Sequence, residues 1–270
     1  MIRLALRVRR ADADIVLAEM LPFAPNGVEQ VDDGDVVEYA VYGAPGELPR
    51  LGELQAVAGD AFVEVRTTEV ADDWGEQWRA FHKPLDIGPL HVRPPWEPEP
   101  EGFQTDLVID PGQAFGTGAH DTTRLCLELL TEIEPGGGFM DLGSGSGVLA
   151  VAAAKLGWDP VCGVDHELES VAATADNARA NGVSVDVERF DLLRGGRAPT
   201  APTVAANILR PILLAVARAG FDGPVPARLI VSGLLVDEVD GVAAAFEQYG
   251  LAESRRLTTT EWAAALLVRA

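Results

Sequence analysis

The sequence predicts an α/β fold in which a parallel sheet carries helices on both faces, preceded by a small α+β domain. From Leu107 onward, apolar runs rich in β-branched residues alternate with alanine-rich stretches of helical length, which is the pattern of such a sheet. Before residue 70, short alternating runs follow the order strand, helix, two strands, helix, strand, which is typical of a ferredoxin-like module. A chain of 270 residues is long enough to bury a core in each domain.

Three regions follow from these patterns: a ferredoxin-like domain over residues 1–70, a linker over 71–105 and the main domain over 106–270. In the first domain, strands are predicted at residues 2–8, 27–31, 36–42 and 61–66, and helices at 13–20 and 48–58. The linker contains a short helix with Trp74 and Trp78, then six prolines between residues 84 and 100. That composition favours an extended, stiff segment, with a strand at residues 90–93.

In the main domain, apolar runs mark six strands and the stretches between them mark the helices. The strands are predicted at residues 139–142, 161–165, 185–188, 204–206, 229–232 and 264–268, and helices include 150–156 and 168–180.

Composition limits the classes of partner and site. The net charge is −21, with 42 acidic against 21 basic residues, which disfavours direct nucleic-acid binding and favours a basic protein partner. An acidic surface that only maintains solubility is the alternative. No apolar run approaches the ~18 residues of a membrane span, and no secretory signal is present, so the cytoplasm is the expected location. Cys126 and Cys162 are interpreted as reduced core residues, and no metal site is expected.

A glycine-rich turn follows the first strand of the main domain. Its spacing is Gly143-x-Gly145-x-Gly147, and Val148 stands where a dinucleotide fingerprint would have its last glycine. Asp141, two residues before the turn, would repel a pyrophosphate but would bind the cationic amino group of S-adenosylmethionine (SAM). A simple turn is the alternative, because isolated glycine turns are common.

Polar side chains also follow the next three strands. Asp165 is predicted to accept the ribose hydroxyls and Asp191 to bind the adenine amino group, while helix capping or loop formation would explain either acid alone. Asn207 is predicted to accept a hydrogen bond from an attacking amine and to aim its lone pair, with a cap or turn as the alternative. Together these residues predict a SAM site.

The run D-P-G-Q-A-F-G-T-G-A-H-D-T-T at residues 110–123 resembles the signature of the PrmA family, the ribosomal protein L11 methyltransferases. The runs at residues 207–209, 231–235 and 261–262 fit the same family. The resemblance is strong over residues 72–270 and limited to layout in the first 70, which are shorter than in the family. It implies a Rossmann-like class I methyltransferase domain, with the N-terminal domain recognising the substrate.

The resemblance also implies roles for individual residues. Thr122, Gly143, Asp165 and Asn207 correspond to cofactor-contacting positions, and Phe115 and Thr117 belong to a loop over the methyl-transfer site. Two positions depart from the family pattern: Ser144 stands where many members have Cys, and Asp121 replaces the usual Pro. His120 is either a base or a residue that fixes its own loop by hydrogen bonds.

The resulting hypothesis is a SAM-dependent protein N-methyltransferase that modifies lysine and N-terminal amines of a large-subunit ribosomal protein. We expect a cytoplasmic monomer that contacts neither nucleic acid directly nor membrane. A methyltransferase of another protein, an RNA or a small molecule remains an alternative, as does a non-catalytic SAM-binding module. An NAD oxidoreductase is disfavoured by Asp141 and Val148.

Overall fold

The computed structural model describes residues 2–13, 16, 29–43, 48, 58–69, 83–100, 102, 105–110 and 120–269. The chain divides into two compact units, Met1–Phe81 and His82–Ala270. Each unit has its own hydrophobic core and is treated by itself.

The first unit contains a four-stranded antiparallel sheet. Its strands are β1 (Ile2–Arg9), β2 (Glu29–Asp33), β3 (Val36–Gly43) and β4 (Phe62–Glu69), in the order β2-β3-β1-β4. The first strand thus lies between the third and the fourth, as in a split β-α-β arrangement. The two predicted helices lie largely outside the described residues, so the ferredoxin-like assignment stays a prediction.

The second unit begins with a three-stranded sheet. It consists of β5 (Leu85–Ile87), β6 (Leu90–Arg93) and β7 (Thr105–Val108), in the order β5-β6-β7. The predicted strand at residues 90–93 is confirmed. The predicted linker over 71–105 is wrong in its second half, because Leu90 and Val92 are buried in the core of this unit. Its first half, with Trp74 and Trp78, lies outside the described residues.

A seven-stranded sheet forms the centre of the second unit. Its strands are β8 (Phe139–Leu142), β9 (Val161–Asp165), β10 (Asp186–Arg189), β11 (Thr203–Asn207), β12 (Arg228–Leu235), β13 (Leu251–Thr258) and β14 (Trp262–Arg269), in the order β10-β9-β8-β11-β12-β14-β13. Its helices are α1 (Asp121–Thr131), α2 (Val148–Leu156), α3 (Leu168–Ala180), α4 (Arg210–Ala219) and α5 (Val239–Phe246).

Strands β8 to β12 run parallel, whereas β14 runs antiparallel to β12 and β13 antiparallel to β14. The prediction of a wholly parallel sheet is therefore wrong at this edge. The connection from Thr258 to Trp262 is too short for a crossover, which fixes β13 and β14 as a hairpin. The α/β class itself is confirmed.

Helices cover both faces of this sheet, as the apolar runs predict. In β11, Val204 and Ala206 pack into the core beneath α4 and α5, and Ala205 packs into the opposite core with α1 and α2. This alternation places a buried side chain on each face at successive residues. No helix in the described part of the chain is long and apolar enough to cross a membrane.

Candidate active site

The site lies where the strand order reverses. The chain passes from β8 outward to β9 and β10, then returns to form β11 on the other side of β8. In open α/β sheets, ligands bind at the carboxyl ends of the strands beside such a reversal. A cavity of about 470 Å³ lies there, within the size range of small-molecule sites. It is lined by residues of the glycine turn, of the loops after β9 and β10, and of β11 and α4, together with Thr123 from α1.

The glycine turn is closely packed on two sides. Gly143, at φ +79°, donates its N–H to Val164 O at 2.8 Å, and a Cβ there would collide with the Ile208 side chain. Gly147, at φ +78°, precedes α2, and a Cβ there would lie 2.7 Å from Cγ2 of Thr174. Both positions therefore exclude a side chain by conformation and by space.

Asp165, at the end of β9, is buried and lines the cavity. Its Oδ2 accepts the N–H of Gly145 at 2.9 Å, and its Oδ1 accepts that of Glu167 at 3.1 Å. His166 Nδ1 also lies 3.3 Å from Oδ1, whereas Oδ2 retains a second lone pair that can accept a hydroxyl donor from a ligand. The carboxylate thus ties the glycine turn to the next strand and keeps acceptor capacity.

Asp191 follows β10 and also lines the cavity. Its Oδ1 accepts the N–H groups of Leu193 at 2.9 Å and Arg194 at 3.2 Å, which organises the loop. Phe190 beside it adds an aromatic ring to the lining. The loop-forming role that the sequence left open is therefore present, and Oδ2 lies 3.9 Å from the Arg194 guanidinium.

Asp141 lies beneath the turn rather than in the cavity lining. Its Oδ2 accepts the N–H of Ala150 at 3.2 Å in the first turn of α2, while its buried Oδ1 has no hydrogen-bond partner in the described part of the chain. Burial raises the pKa of Asp141 to about 7, and the nearby Asp165 charge adds to the rise. An unpaired buried carboxylate oxygen of this kind fits a cationic ligand group.

Asn207, the last residue of β11, lines the same cavity as the glycine turn. Its Nδ2 donates to Oγ1 of Thr123 at 3.1 Å. Its Oδ1 is buried and accepts no hydrogen bond from any described residue. The Nδ2 hydrogen bond therefore fixes the orientation of the amide, and Oδ1 is available to accept a hydrogen bond from a ligand.

The start of α1 is held by side chains around it. His120 Nδ1 lies 2.9 Å from Oγ1 of Thr122 and accepts the Thr122 N–H at 3.3 Å. The His120 ring packs edge-on against Trp262 with centroids 5.0 Å apart, and Ser232 Oγ donates to the Thr122 carbonyl at 3.1 Å. These contacts support the interpretation of His120 as a residue that fixes its own loop.

Five of the predicted site residues line the cavity and three do not. Those that line it are Gly143, Gly145, Asp165, Asp191 and Asn207, and those that do not are Thr122, Asp141 and Gly147. The predicted catalytic residues Phe115 and Thr117 lie outside the described residues. Thr123 also lines the cavity but was not predicted as a site residue. In the sequence, its position beside Thr122 was the one feature that pointed to it. No group of three potential metal ligands occurs among the described residues.

The family model for "Ribosomal protein L11 methyltransferase (PrmA)" matches residues 48–270. The chain belongs to the PrmA family. The predicted family, a family of SAM-dependent protein methyltransferases, is thereby confirmed.

Individual PrmA relatives agree with this assignment. The chain is 36% identical over 192 residues to a ribosomal protein L11 methyltransferase of Caldicellulosiruptor bescii, covering 70% of this chain and 63% of the relative. It is 40% identical over 229 residues to that of Pelotomaculum thermopropionicum, covering 80% of this chain and 73% of the relative. A crystal structure of a ribosomal protein L11 methylase from Lactobacillus delbrueckii subsp. bulgaricus aligns with a TM-score of 0.61 at 26% identity, over 70% of this chain and 99% of that one.

Proposed function

We propose that this chain is a SAM-dependent protein N-methyltransferase that acts on lysine and N-terminal amines of ribosomal protein L11. The observation that carries the proposal is the Asn207 amide, with its buried Oδ1 unpaired in the described structure and its Nδ2 held by Thr123. It lies in one cavity with the glycine turn and the strand-end carboxylates. Family membership and the names of the relatives support the activity and the substrate.

The residues of the cavity suit SAM. Oδ2 of Asp165 has a lone pair for a ribose hydroxyl, and Asp191 and Phe190 offer an acceptor and an aromatic surface for adenine. Asp141, below the turn, carries the unpaired oxygen that suits the ammonium of the methionine part, directly or through water. Together with Glu167, these acids give the site a negative character that favours a cation. We also propose that Thr122, which corresponds to a cofactor-contacting position of the PrmA family, contacts SAM.

Bound SAM supplies a methyl group already activated by its sulfonium. The Asn207 Oδ1 accepts one N–H of the incoming amine, which directs the nitrogen lone pair toward the cavity. Positioning of this kind contributes up to about 7–11 kcal/mol in well-oriented reactions. A lysine amine, with an ordinary pKa of about 10.4, must first lose its proton, which we propose passes to water or along a backbone route. Desolvation of the amine and the positive charge of the sulfonium would lower that pKa against the opposing effect of the carboxylates. Phe115 and Thr117 are proposed to border the acceptor amine.

The partner of this site is proposed to be a basic protein. The chain carries a net charge of −21, so its field attracts a positively charged partner and repels nucleic acid. We place the enzyme in the cytoplasm as a monomer, with the first unit recognising the substrate.

The test is methyl transfer from labelled SAM to purified L11, followed by peptide mass spectrometry. We expect label on lysine side chains or the N-terminal amine of L11, and labelling roughly 100-fold slower with the Asn207→Leu variant. Ribosomal RNA and free lysine in parallel reactions represent the alternative substrates. Label in either of those but not in L11 would reassign the substrate, and label in none of them would leave only SAM binding.

A further inference from the structure

Two asparagines, Asn177 on α3 and Asn181 at its C-cap, hold the segment that leads from β7 toward residues 111–119. Oδ1 of Asn177 accepts the N–H of Asp110 at 2.9 Å, and its Nδ2 donates to the Asp110 carbonyl at 3.3 Å. Asn181 repeats the arrangement on Val108, with distances of 2.9 and 2.7 Å. The four-residue step from Asn177 to Asn181 spans roughly 6 Å, which is also roughly the distance from Val108 to Asp110 in extended chain. The spacing of the two asparagines therefore matches that of their partners.

The two amides differ in their remaining hydrogen bond. Asn177 Nδ2 also donates to the Ser146 carbonyl at 2.8 Å, within the glycine turn. Asn181 Nδ2 instead donates to the Asn177 carbonyl at 2.8 Å, at the C-terminal end of α3. Both asparagines are buried, and the bonds from Asn177 to Ser146 and from Asn181 to Asn177 are shielded from water. Of these two asparagines, Asn177 is therefore the one that joins Asp110 to the glycine turn.

Other contacts make this junction rigid. Thr174, one turn earlier on α3, donates its hydroxyl proton to the Gly145 carbonyl at 3.1 Å, and its Oγ1 also lies within hydrogen-bond distance of Ser144 Oγ, at 2.9 Å. The absence of a side chain at Gly147 lets α3 approach this closely. The glycine turn therefore has hydrogen-bond partners on α3 as well as on β9, and Asn177 extends this set to Asp110.

We propose that Asn177 is a positioning residue for the active site: its amide holds the glycine turn and the segment entering residues 111–119 in one fixed relation. The proposal rests on the function proposed above, because it assigns Asn177 to the SAM site. Asn177 itself does not line the cavity. Its effect passes through the carbonyl of Ser146 and the backbone of Asp110.

The test compares Asn177→Asp with Asn181→Asp. Each change loses two donated hydrogen bonds and keeps one accepted bond, so the two variants are matched in chemistry. In Asn177→Asp the carboxylate faces the carbonyls of Asp110 and Ser146, which pushes the turn and the segment apart. We expect SAM to bind this variant roughly tenfold more weakly by calorimetry and Asn181→Asp within about twofold of the unsubstituted protein.

A pH series separates positioning from general destabilisation. Protonation of the introduced carboxyl restores one donor, so the SAM affinity of Asn177→Asp, relative to the unsubstituted protein at each pH, should recover as pH falls from about 8 to about 6. The relative affinity of Asn181→Asp should stay flat. Equal losses in both variants, or losses that follow their unfolding free energies, would overturn the proposal. If either variant does not fold, the milder pair Asn177→Ser and Asn181→Ser replaces them.

Amide hydrogen exchange tests the same proposal without ligand. Exchange at residues 143–147 should accelerate in Asn177→Asp and remain unchanged in Asn181→Asp. Failure of the unsubstituted protein to bind SAM would refute the proposed function. Unchanged exchange in Asn177→Asp would refute the positioning role even if SAM binds.

Discussion

Asn207 donates a hydrogen bond from Nδ2 to Oγ1 of Thr123 at 3.1 Å across 84 residues of sequence. The Nδ2 group of the amide is therefore engaged, whereas the buried Oδ1 receives no hydrogen bond from any described residue. A buried unpaired oxygen costs free energy that a donor from a ligand recovers. This relationship gives the orientation of the amide a physical cause and leads to the first two predictions.

Replacement of Asn207 by Ala should lower kcat much more than it lowers SAM affinity. The change removes the acceptor that orients the amine, an effect of roughly 100-fold for a lost positioning contact. Steady-state kinetics with L11 and calorimetry with SAM measure the two quantities. Full kcat combined with weakened SAM binding would assign Asn207 to the cofactor alone.

Thr123 should contribute to the rate through Asn207. Thr123→Val keeps the shape of the side chain but removes the acceptor for Nδ2, so the amide loses its fixed orientation and kcat should fall about tenfold. Thr123→Ser keeps the hydroxyl and serves as the control, with a rate close to that of the unsubstituted protein. Equal single-turnover rates for the two variants would contradict this role.

Gly147→Ala should destabilise the second unit through steric conflict. The added Cβ would meet Cγ2 of Thr174 at 2.7 Å and its Cα at 2.9 Å, at a φ of +78°. Overpacking adds about 1–3 kcal/mol to the cost of the left-handed conformation. Gly182→Ala, at φ +65° with no atom within 4 Å of the new Cβ, is the control and should pay the conformational cost alone. Urea unfolding measures both, and equal losses would refute the packing argument.

Asp141 should make stability depend on pH. Burial raises its pKa from 3.8 to about 7 in the folded protein, so the folded state keeps a proton that the unfolded chain releases. The unfolding free energy contributed by this group is therefore largest below about pH 4 and decreases as pH rises toward 7. Asp141→Asn keeps an acceptor for the Ala150 N–H and removes the titration, so it serves as the reference.

The measurement is urea unfolding of both proteins between about pH 4 and pH 8. The stability of the unsubstituted protein relative to Asp141→Asn should decline over this range. A difference that is independent of pH would contradict the raised pKa.

The sequence predicted the centre of the second unit well because its strands are buried on both faces and read as short apolar runs. Strand β13 escaped prediction because it is an exposed edge strand with the polar sequence L-A-E-S-R-R-L-T. The proline-rich segment was misinterpreted as linker because Pro89 lies in the turn between β5 and β6, where proline is compatible with sheet structure.

The residues around the cavity could likewise be predicted only where a local sequence pattern marks them. Asp165 and Asn207 end apolar strands, so local pattern found them. Thr123 and Asn177 owe their positions to hydrogen bonds with residues 84 and 67 positions away, which no local pattern contains. Asp141 was found by its spacing, but the sequence did not reveal that it would lie beneath the turn and bind the Ala150 N–H.

The central claim is that the cavity beside Gly143 binds SAM. Calorimetric titration of the whole chain with SAM, with NAD as the comparison ligand, tests it most directly. We predict saturable binding of one SAM molecule per chain and no heat of binding with NAD. Absence of SAM binding, or saturable binding of NAD in its place, would contradict the claim.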